Sequence, residues 1–352
     1  MDDASVRDGG RMPGELPVLL DSLERPLRDL RISLTDRCNL RCTYCMPKEV
    51  FGSDYAFLPE SSMLSFPEIV RIARIFVHHG VKKLHLTGGE PLLRRDVESL
   101  IHDLAQLPGV QEIVMTTNGV ALTAARAQRL KAHGLHRITV SLDSLGDNTF
   151  RRMNGVACPV SRVLGAIEAA FAAGLTPVKV NMVVRRSLND GDIERMAEHF
   201  RWTGHILRFI EYMDVGHSNG WRRDDVVPAA EILQRIGARW PLEEIAPRHH
   251  GEVATRYHYM DGAGEIGIIA SVTRPFCRSC GRARLSSDGL LYTCLFANRG
   301  EDLKPALRGD QPDEALTDLL SRVWRVRDDR YSELRSGAAQ PPDRVEMSRI
   351  GG

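Results

Sequence analysis

The sequence predicts an α/β fold: a partial (β/α)6 TIM barrel followed by a smaller C-terminal α+β domain that covers the barrel mouth. Short β-rich runs alternate with helical segments from residue 30 to residue 211, as in strand–helix units around a parallel sheet. The six units are fewer than a closed TIM barrel contains, so we expect the barrel to stay open. The alternation stops after about residue 220, where the second domain is predicted to begin.

The predicted barrel strands are short apolar runs at residues 30–34, 83–86, 112–115, 137–140, 178–183 and 206–210. A helix between the first two should begin with a capping box formed by Ser65 and Glu68 and end before Gly80. The segment 161–173 repeats this design, with Phe171 on its inward apolar face and Gly174 just past its end. Both apolar faces are predicted to pack in the core.

The C-terminal part of the chain has a different pattern. A helix near residues 228–236 precedes strand-like runs at 253–260 and 265–271, and helices extend to about residue 327. We therefore predict an N-terminal extension of residues 1–24, a barrel domain of residues 25–219 and a C-terminal domain of residues 220–352. No role is predicted for the extension.

Composition excludes several classes of protein. The 47 Lys and Arg nearly balance the 46 Asp and Glu, so the chain lacks the overall positive charge of a nucleic-acid binder. No stretch suits a membrane span, and the N-terminal segment lacks the apolar core of a signal peptide. The odd count of seven cysteines is not a disulfide framework and indicates a reducing cytoplasm. Cys158 stands apart from the other six and is predicted to be a packed or loop cysteine.

Cys38, Cys42 and Cys45 form the most informative motif, with the spacing C-x3-C-x2-C. Thiolates at this density suit soft metals, and three of them on a cubic iron–sulfur cluster leave one iron without a protein ligand. A zinc knuckle is the alternative, although zinc prefers four ligands and no His or fourth Cys is close in sequence.

A second cysteine group, Cys277, Cys280 and Cys294, spans a predicted β-hairpin. If the Asp-Gly pair at 288–289 forms a two-residue turn, Cys294 lies opposite Ala283, and the three thiolates can converge. Three ligands again leave an open metal position. A zinc hairpin is the alternative here, because C-x2-C with a distant Cys is common in zinc sites.

Polar motifs follow five of the six predicted strands, at the carboxyl ends where barrel sites assemble. Cys38 follows the first strand, and the segments TGGE (87–90), TTNG (116–119), SLD (141–143) and YMD (212–214) follow four others. Turn residues alone are common at strand ends. Their coincidence around a metal motif predicts one site at this end of the barrel.

The cysteine motif, with the aromatic Tyr44 before its last Cys, resembles that of the radical S-adenosylmethionine (SAM) enzymes. The runs LRISLTDRCNLRCTYCMP, LTGGEPLLRRD, RFIEYMDVG and FCRSCGRARLSSDG, with the terminal Gly351-Gly352, are similar to the GTP 3',8-cyclase family of molybdenum cofactor biosynthesis. The similarity extends from about residue 25 to the last residue. It implies a lyase with the partial barrel of the radical SAM type.

The resemblance implies two 4Fe–4S clusters, one on each cysteine group, and SAM as a second cofactor. The first cluster would chelate SAM and release a 5'-deoxyadenosyl radical, and the second would hold the guanine of GTP. Tyr44, Gly89, Ser141 and Met213 would form the SAM pocket. A glycine at position 89 suits a close approach of the backbone to the ligand.

Arg31, Thr116, Lys179, Arg282 and Arg284 would bind GTP by the same resemblance, because a triphosphate needs several cations. The two C-terminal arginines are also predicted to be catalytic, together with the first cysteine group. Alternation supports part of this assignment, since these two arginines share one strand face and Lys179 interrupts an apolar run. A solvated surface face is the alternative for the arginine pair.

His85 departs from the family pattern, which has an arginine before the TGGEP segment. Histidine is mostly neutral near pH 7 and lacks the bidentate fork of arginine, so a GTP contact at this position is a weaker expectation. The Gly351-Gly352 end, by resemblance, enters the cavity between the clusters and touches the cationic residues.

The implied product is (8S)-3',8-cyclo-7,8-dihydroguanosine 5'-triphosphate. The implied partners are GTP, an electron donor and the downstream cyclic pyranopterin monophosphate synthase. No nucleic acid or membrane partner is expected. The protein is expected to be cytoplasmic and either a monomer or a homodimer. Three alternatives stay open: a peptide-modifying radical SAM enzyme with an auxiliary cluster, an electron-transfer ferredoxin, and a zinc-stabilised binding module. A ferredoxin favours four cysteines per cluster and needs no barrel.

Overall fold

A computed structural model describes residues 18–249, 251–309, 311–335 and 344–352. Its strands are β1 (Asp29–Ser33), β2 (Lys83–Thr87), β3 (Glu112–Thr117), β4 (Arg137–Ser141), β5 (Lys179–Val184), β6 (Ile206–Glu211), β7 (Leu242–Ile245), β8 (Thr255–Tyr259), β9 (Glu265–Ile269), β10 (Arg282–Leu285), β11 (Leu290–Tyr292) and β12 (Glu301–Asp302). Its helices are α1 (Phe66–His78), α2 (Val97–Ala105), α3 (Ala124–Ala132), α4 (Asp147–Asn154), α5 (Val160–Ala172), α6 (Ile193–Phe200), α7 (Ala229–Gly237), α8 (Lys304–Arg308), α9 (Asp313–Arg325), α10 (Tyr331–Leu334) and α11 (Met347–Ile350).

All strands of the described residues belong to one sheet of 12 strands, in the order β12-β11-β10-β1-β2-β3-β4-β5-β6-β9-β8-β7. Strands β1 to β6 pair in parallel and in sequence order, which confirms the predicted partial barrel. Strands β10 and β9 extend this parallel array at its two edges, and antiparallel hairpins complete it.

The C-terminal part of the chain therefore continues the barrel sheet on both sides. The domain boundary near residue 220 stays a prediction, but the strands on either side of it share a single sheet. This arrangement places β10, which begins two residues after Cys280, directly beside β1, which ends five residues before Cys38.

The barrel strands alternate between an apolar outer face and a polar inner face. On β1, Leu30 and Ile32 are fully buried in the hydrophobic core that also contains α1, while Arg31 between them lines a central cavity. The same alternation on the other parallel strands directs Lys179 and Arg284 into that cavity. A two-residue period thus produces a barrel whose exterior packs against helices and whose interior is cationic.

The predicted strands are all present, with ends that differ by one or two residues. Several extend one or two residues further at their carboxyl ends, to Thr87, Thr117, Ser141 and Glu211, because the ladder continues into the polar motifs. For these four strands, the end of the apolar run predicted a carboxyl end that is one or two residues too early.

Helix α1 begins with the predicted capping box, in which the Ser65 hydroxyl accepts from the Glu68 backbone N–H and the Glu68 carboxylate accepts from Ser65 N. Gly80 follows this helix with a φ of 96°. Helix α5 is also present, but Phe171, predicted to face inward, is 44% exposed. It lies one residue beyond the buried Ala170, at the edge of the apolar stripe, and its ring meets His205 edge-on at 5.2 Å.

The hairpin of β10 and β11 pairs Arg284 with Tyr292 and Leu285 with Leu291. This register leaves a three-residue loop at Ser287–Gly289 rather than the predicted two-residue turn. The Ser286 side chain accepts from Leu290 N at 2.9 Å and donates to Asp288 at 2.7 Å, so side-chain hydrogen bonds select the longer loop. Continuing the register places Cys294 opposite Arg282, not opposite Ala283.

Two residues of the predicted extension, Leu19 and Asp21, are buried against the rest of the protein. Asp21 is fully buried and forms ion pairs with Arg25 at 2.6 Å and with Arg327 at 2.9 Å. No helix in the described ranges combines the length and the apolarity needed to cross a bilayer.

Candidate active site

The first cysteine group lies on the loop that follows β1. Cys38, Cys42 and Cys45 are free thiols and are partly buried. Burial raises the pKa of the Cys38 thiol to about 11. Burial also raises the pKa of Cys45, and the charge of the nearby Cys38 adds to that rise. The Leu40 backbone N–H points at Cys38 Sγ from 3.4 Å. Buried thiolates that repel one another favour a positively charged metal group between them.

The TGGE segment after β2 packs directly on this cysteine loop. Gly89 N donates to Thr35 O at 2.7 Å and Glu90 N donates to Arg37 O at 2.8 Å. A Cβ at position 89 would overlap the carbonyl oxygen of Arg37, so only glycine fits there. This contact supplies a packing reason for Gly89, whereas its predicted approach to SAM stays a prediction.

The Glu90 carboxylate connects this segment to the loop after β3. It accepts from Thr117 Oγ1 at 2.7 Å and from Asn118 N at 2.7 Å. The Asn118 side chain in turn donates to Asn39 Oδ1 at 2.7 Å and lies 3.6 Å from Cys38 Sγ. Burial raises the pKa of Glu90, and these donors act against that rise. Two strand-end motifs thereby fix one wall of the cysteine loop.

The other predicted SAM residues occupy neighbouring strand ends. The Tyr44 hydroxyl donates to Asp143 Oδ2 at 2.9 Å, and Asp143 Oδ1 accepts from Val183 N at 2.9 Å. Burial raises the pKa of Asp143 to about 6. Ser141 ends β4, and Met213 lines the central cavity two residues after β6.

The second cysteine group surrounds the start of β10. Cys277, Cys280 and Cys294 are free and line the central cavity. Arg282 donates to Cys280 Sγ from Nε at 3.3 Å and from Nη2 at 3.1 Å. Burial opposes ionisation of the Cys280 thiol, but Arg282 and then Arg327 outweigh it and lower the pKa to about 6. Phe296 N lies 3.5 Å from Cys294 Sγ.

Both cysteine groups fit iron–sulfur clusters. Each offers three unpaired thiols, with N–H groups aimed at sulfur atoms, and such donors stabilise cluster thiolates. Within the four described ranges, no three Cys, His, Asp or Glu side chains lie close enough to share a single metal ion. The number of thiols suits a cubic cluster, in which three thiolates bind three different irons, whereas a structural zinc site prefers four ligands.

The central cavity has a volume of about 630 Å³, within the range of small-molecule sites. It brings together all of the residues predicted to bind GTP: Arg31, His85, Thr116, Lys179, Arg282 and Arg284. The arginine pair on β10 is therefore not a solvated surface face, and Arg284 is only 3% exposed.

Positive charges in the cavity are held close together without enough acidic partners. Burial, followed by the neighbouring Arg31 and Arg282, lowers the pKa of Arg284. Burial lowers the pKa of Lys179 to about 7, and Arg208 and other cations contribute to the same shift. A polyanion that enters the cavity would relieve this repulsion and restore the pKa values.

His85 lies between these cations as a neutral residue. Burial lowers its pKa well below the usual value, and the positive charge of Arg31 adds to this shift. Its Nε2 lies 2.7 Å from Thr116 Oγ1, and its Nδ1 has no hydrogen-bond partner. The side chain thus reaches the cavity wall as a polar group without charge.

Arg208 on β6 is a cavity residue that the sequence analysis missed. Its Nε donates to Asn181 Oδ1 at 2.9 Å, and both residues line the cavity. Burial, followed by Arg31, lowers the Arg208 pKa to about 10. The run ILRFIE carried the same signal as Lys179, a cation on the inner face of an otherwise apolar strand.

The Gly351-Gly352 segment contacts two of the predicted GTP ligands. Arg31 Nη1 donates to Gly352 O at 2.5 Å, and Arg284 donates to Gly351 O. Gly351 has a φ of 76°, and a Cβ there would overlap the Thr87 side chain at the end of β2. Both the conformation and the space therefore require glycine at this position.

Comparison with protein families divides the chain into two matched regions. Residues 32–200 match the Radical SAM superfamily, and residues 205–333 match the family described as Molybdenum Cofactor Synthesis C. The first region includes the first cysteine group and the second includes the other.

Several curated relatives match over nearly their whole length. GTP 3',8-cyclase from Acidothermus cellulolyticus is 54% identical over 340 residues, with 94% of each chain covered. The same enzyme from Xanthomonas axonopodis pv. citri is 50% identical, covering 94% of this chain and 98% of the relative. The enzyme from Staphylococcus saprophyticus is 46% identical, covering 95% and 99%.

A crystal structure of Streptococcus suis SuiB bound to S-adenosylmethionine shares the fold. It superposes with a TM-score of 0.61 over 89% of this chain and 68% of that chain, at 16% identity. SuiB bound to the precursor peptide SuiA superposes with a TM-score of 0.55 at 17% identity. At this identity the likeness concerns the fold alone.

Proposed function

This chain belongs to the GTP 3',8-cyclase family of radical SAM enzymes, and we propose that it converts GTP to (8S)-3',8-cyclo-7,8-dihydroguanosine 5'-triphosphate. This reaction is the first step of molybdenum cofactor biosynthesis. We infer a cytoplasmic location, since all seven thiols are unpaired, as a reducing compartment permits.

Each cysteine group would bind a 4Fe–4S cluster, with Cys38, Cys42 and Cys45 on the first and Cys277, Cys280 and Cys294 on the second. When bound, the first cluster supplies the electron that cleaves SAM to methionine and a 5'-deoxyadenosyl radical. The chain's own residues position the reactants. Glu90 and Asn118 support the cysteine loop, and the Tyr44–Asp143 hydrogen bond orders the wall beside it.

The cationic cavity is the observation that supports GTP as the substrate. Arg31, Lys179, Arg208, Arg282 and Arg284 converge on about 630 Å³ with the second cysteine group on the same wall. A triphosphate would neutralise these cations, while the guanine would reach the cysteine wall.

The decisive experiment is anaerobic incubation of reconstituted protein with SAM, dithionite and GTP. We expect 5'-deoxyadenosine and the cyclised nucleotide to form together. Deoxyadenosine without a GTP product would retain radical SAM chemistry but reject this substrate, and would favour a peptide substrate instead.

Cysteine variants provide the matched controls for this experiment. Cys277→Ala should lose cyclisation and reduce the iron content to about one cluster per chain. Cys158→Ala should keep both, because Cys158 is packed in the core cluster away from the cavity residues. Ring closure by Cys277→Ala protein would contradict the role of the second cluster.

A further inference from the structure

A second groove lies outside the central cavity and shares no lining residue with it. It is formed by the cysteine loop, the end of α4, the loop after β5 and the segment that precedes α7. Seven of its fifteen lining residues are cationic: Arg41, Lys48, Arg151, Arg152, Arg185, Arg186 and Arg222.

The positive charge of this groove is local and only partly neutralised. Glu49 and Asp225 are the acidic residues among those that line it. Asp225 pairs with Arg185 at 2.9 Å and with Arg222 at 3.2 Å, and two carboxylates outside the lining, Glu231 and Asp147, pair with Arg186 at 2.7 Å and with Arg151 at 3.5 Å. Lys48 and Arg152 are exposed, and in the described part of the chain neither is paired with a carboxylate. Since the whole chain has a net charge of only +1, this groove is a concentrated positive patch.

The cysteine loop itself forms part of the groove. Arg41 N donates to Asn154 O at 2.8 Å, and Thr43 N donates to Met153 O at 2.9 Å, so the loop is hydrogen-bonded to the end of α4. A Cβ at Gly155 would overlap the Arg41 carbonyl oxygen, which shows how closely the two segments pack. The groove therefore lies against the residues that would bind the first cluster.

Arg41 links the groove to the cysteines more directly. Its guanidinium donates to the carbonyl oxygens of Cys38 and Leu40, each at 2.8 Å, and to Phe51 O at 2.7 Å. A molecule in the groove would contact the outer side of the loop that bears Cys38, Cys42 and Cys45 without entering the central cavity. This is the position that an electron donor must reach, because electron transfer slows steeply with distance.

We propose that this groove is the docking surface for an acidic one-electron donor protein that reduces the first cluster. The proposal rests on the proposed function, in which each SAM cleaved consumes one electron at that cluster. The donor is oxidised by one electron and the oxidised cluster is reduced by one, with no transfer of atoms. Charge complementarity would steer the donor to the groove and orient it there.

The electron donor explains the groove better than another anionic occupant. Free GTP would find its cations in the central cavity, where Arg284 is buried and Arg31, Lys179, Arg208 and Arg282 are half-buried. A nucleic acid would be attracted by charge alone and would not account for the position of the patch against the cysteine loop. The combination of charge and position favours a redox partner.

The test compares two doubly substituted holoenzymes of equal net charge. Lys48→Glu/Arg152→Glu reverses two exposed groove cations, and Arg322→Glu/Arg325→Glu reverses two exposed cations at the end of α9 as the control. Stopped-flow absorbance would follow reduction of the oxidised holoenzyme by a bacterial flavodoxin hydroquinone at low ionic strength. A parallel measurement would give the flavodoxin affinity.

We expect the groove variant to lower the second-order rate constant and the affinity by about tenfold or more, while the control changes both less than twofold. Added salt should slow the unsubstituted protein and narrow this difference. Reduction by dithionite should be the same in all three proteins, because a small reductant needs no docking surface.

Equal rates with flavodoxin in the groove variant and the unsubstituted protein would overturn the proposal, as would an equal loss in the control. A groove variant that loses affinity for a short RNA but keeps the flavodoxin rate would also overturn it in favour of nucleic acid. Failure of the proposed function is a separate result: dithionite-reduced protein would then form no cyclised nucleotide, whatever the flavodoxin rates.

Discussion

At the residue scale, the inner face of the barrel determines what the cavity can bind. Arg31, Lys179, Arg208 and Arg284 lie on four different strands, and burial lowers the pKa of each. Arg31 adds to the lowering at Arg208 and Arg284, and Arg208 adds to the lowering at Lys179. Repulsion between these cations destabilises the protein without ligand. An anion that binds in the cavity relieves the repulsion, and this relief contributes to its affinity. His85, like its neighbour Thr116, adds no positive charge to this wall.

His85→Arg should lower the Michaelis constant for GTP by about tenfold, because one charge-assisted contact contributes on the order of 1.5–3 kcal/mol. The new cation would also repel Arg31 and Arg284, so the protein without GTP should unfold at a lower temperature, with partial recovery when GTP is added. His85→Gln is the neutral control and should leave the constant almost unchanged. An unchanged or raised Michaelis constant for the arginine variant would count against the idea.

Lys179 should make GTP binding dependent on pH. With a pKa of about 7 in the free protein, this amine is charged below pH 7 and loses its charge above it. Because the phosphates bind the charged form, affinity should fall by about fivefold between pH 7 and pH 8. Equilibrium binding of GTP without SAM or reductant measures this directly.

Lys179→Arg is the matched control for that profile, because arginine stays charged throughout the range. Its GTP affinity should be nearly flat from pH 7 to pH 8. GTP's own ionisation affects both proteins equally, so a difference between the two profiles belongs to residue 179. Superimposable profiles would show that Lys179 does not carry the effect.

At the element scale, the short α11 segment delivers Gly351 and Gly352 to the cavity. Its start is held by Arg344, which is 2% exposed and pairs with the Asp214 carboxylate at 3.0 Å. Its end is held by Arg349, which pairs with Asp288 at 2.6 Å in the loop between β10 and β11. The segment is thus fixed to the end of β6 and to the second-cluster hairpin.

Deletion of Gly351 and Gly352 should abolish cyclisation, because Arg31 and Arg284 lose the oxygen atoms that position them. Both clusters should remain bound, since none of the six cysteines contacts this pair in the hydrogen bonds described above. Iron content and product formation measured on the same sample test this. Full activity of the truncated protein would refute the role.

A substitution at Asp214 separates the position of the segment from its presence. Asp214→Asn keeps the glycines but weakens the ion pairs with Arg335 and Arg344. It should lower cyclisation less than the deletion does, with iron content unchanged. If Asp214→Asn had no effect while the deletion abolished activity, the ion pairs of Asp214 with Arg335 and Arg344 would not be needed to place the glycines.

At the scale of the whole molecule, the buried cluster of Asp21, Arg25 and Arg327 joins the N-terminal segment to the second-cluster region. Arg25 donates to Cys277 O at 2.9 Å, and Arg327 donates to Cys280 O at 2.7 Å. Asp21 balances both arginines, and its side chain is fully buried. Residues 18–24 therefore support a cysteine group more than 250 residues away in sequence.

Asp21→Asn should lower the free energy of unfolding by about 3–5 kcal/mol, because it leaves the buried Arg25 guanidinium without a counter-charge and leaves Arg327 with only Asp329, 3.4 Å away. We expect iron loss from the second cluster before the first. Urea denaturation and iron content of anaerobic protein measure both effects. Asp313→Asn, which weakens a partly exposed pair with Arg71, is the control and should cost less than about 1 kcal/mol. Equal losses of unfolding free energy in the two variants would contradict a stabilising role for the buried ion pairs of Asp21.

The sequence alone determined the barrel strands, the helix that begins at Ser65 and both cysteine groups. Each of these depends on local information: a two-residue or helical period, a capping pair, or a spacing of thiols. Alternation also placed the two β10 arginines on one strand face and showed that Lys179 interrupts an apolar run, but only the resemblance assigned these residues to the substrate site.

Only the tertiary structure decided how distant segments meet. Nothing in the local pattern shows that β9 and β10 join the two edges of the barrel sheet, or that Asp21 lies beneath Cys277 and Cys280. The hairpin register differed by one residue because Ser286 hydrogen bonds, not the Asp-Gly pair, close the loop. Strand pairing and buried ion pairs join residues far apart in sequence, and their energies depend on a complete fold that no local period encodes.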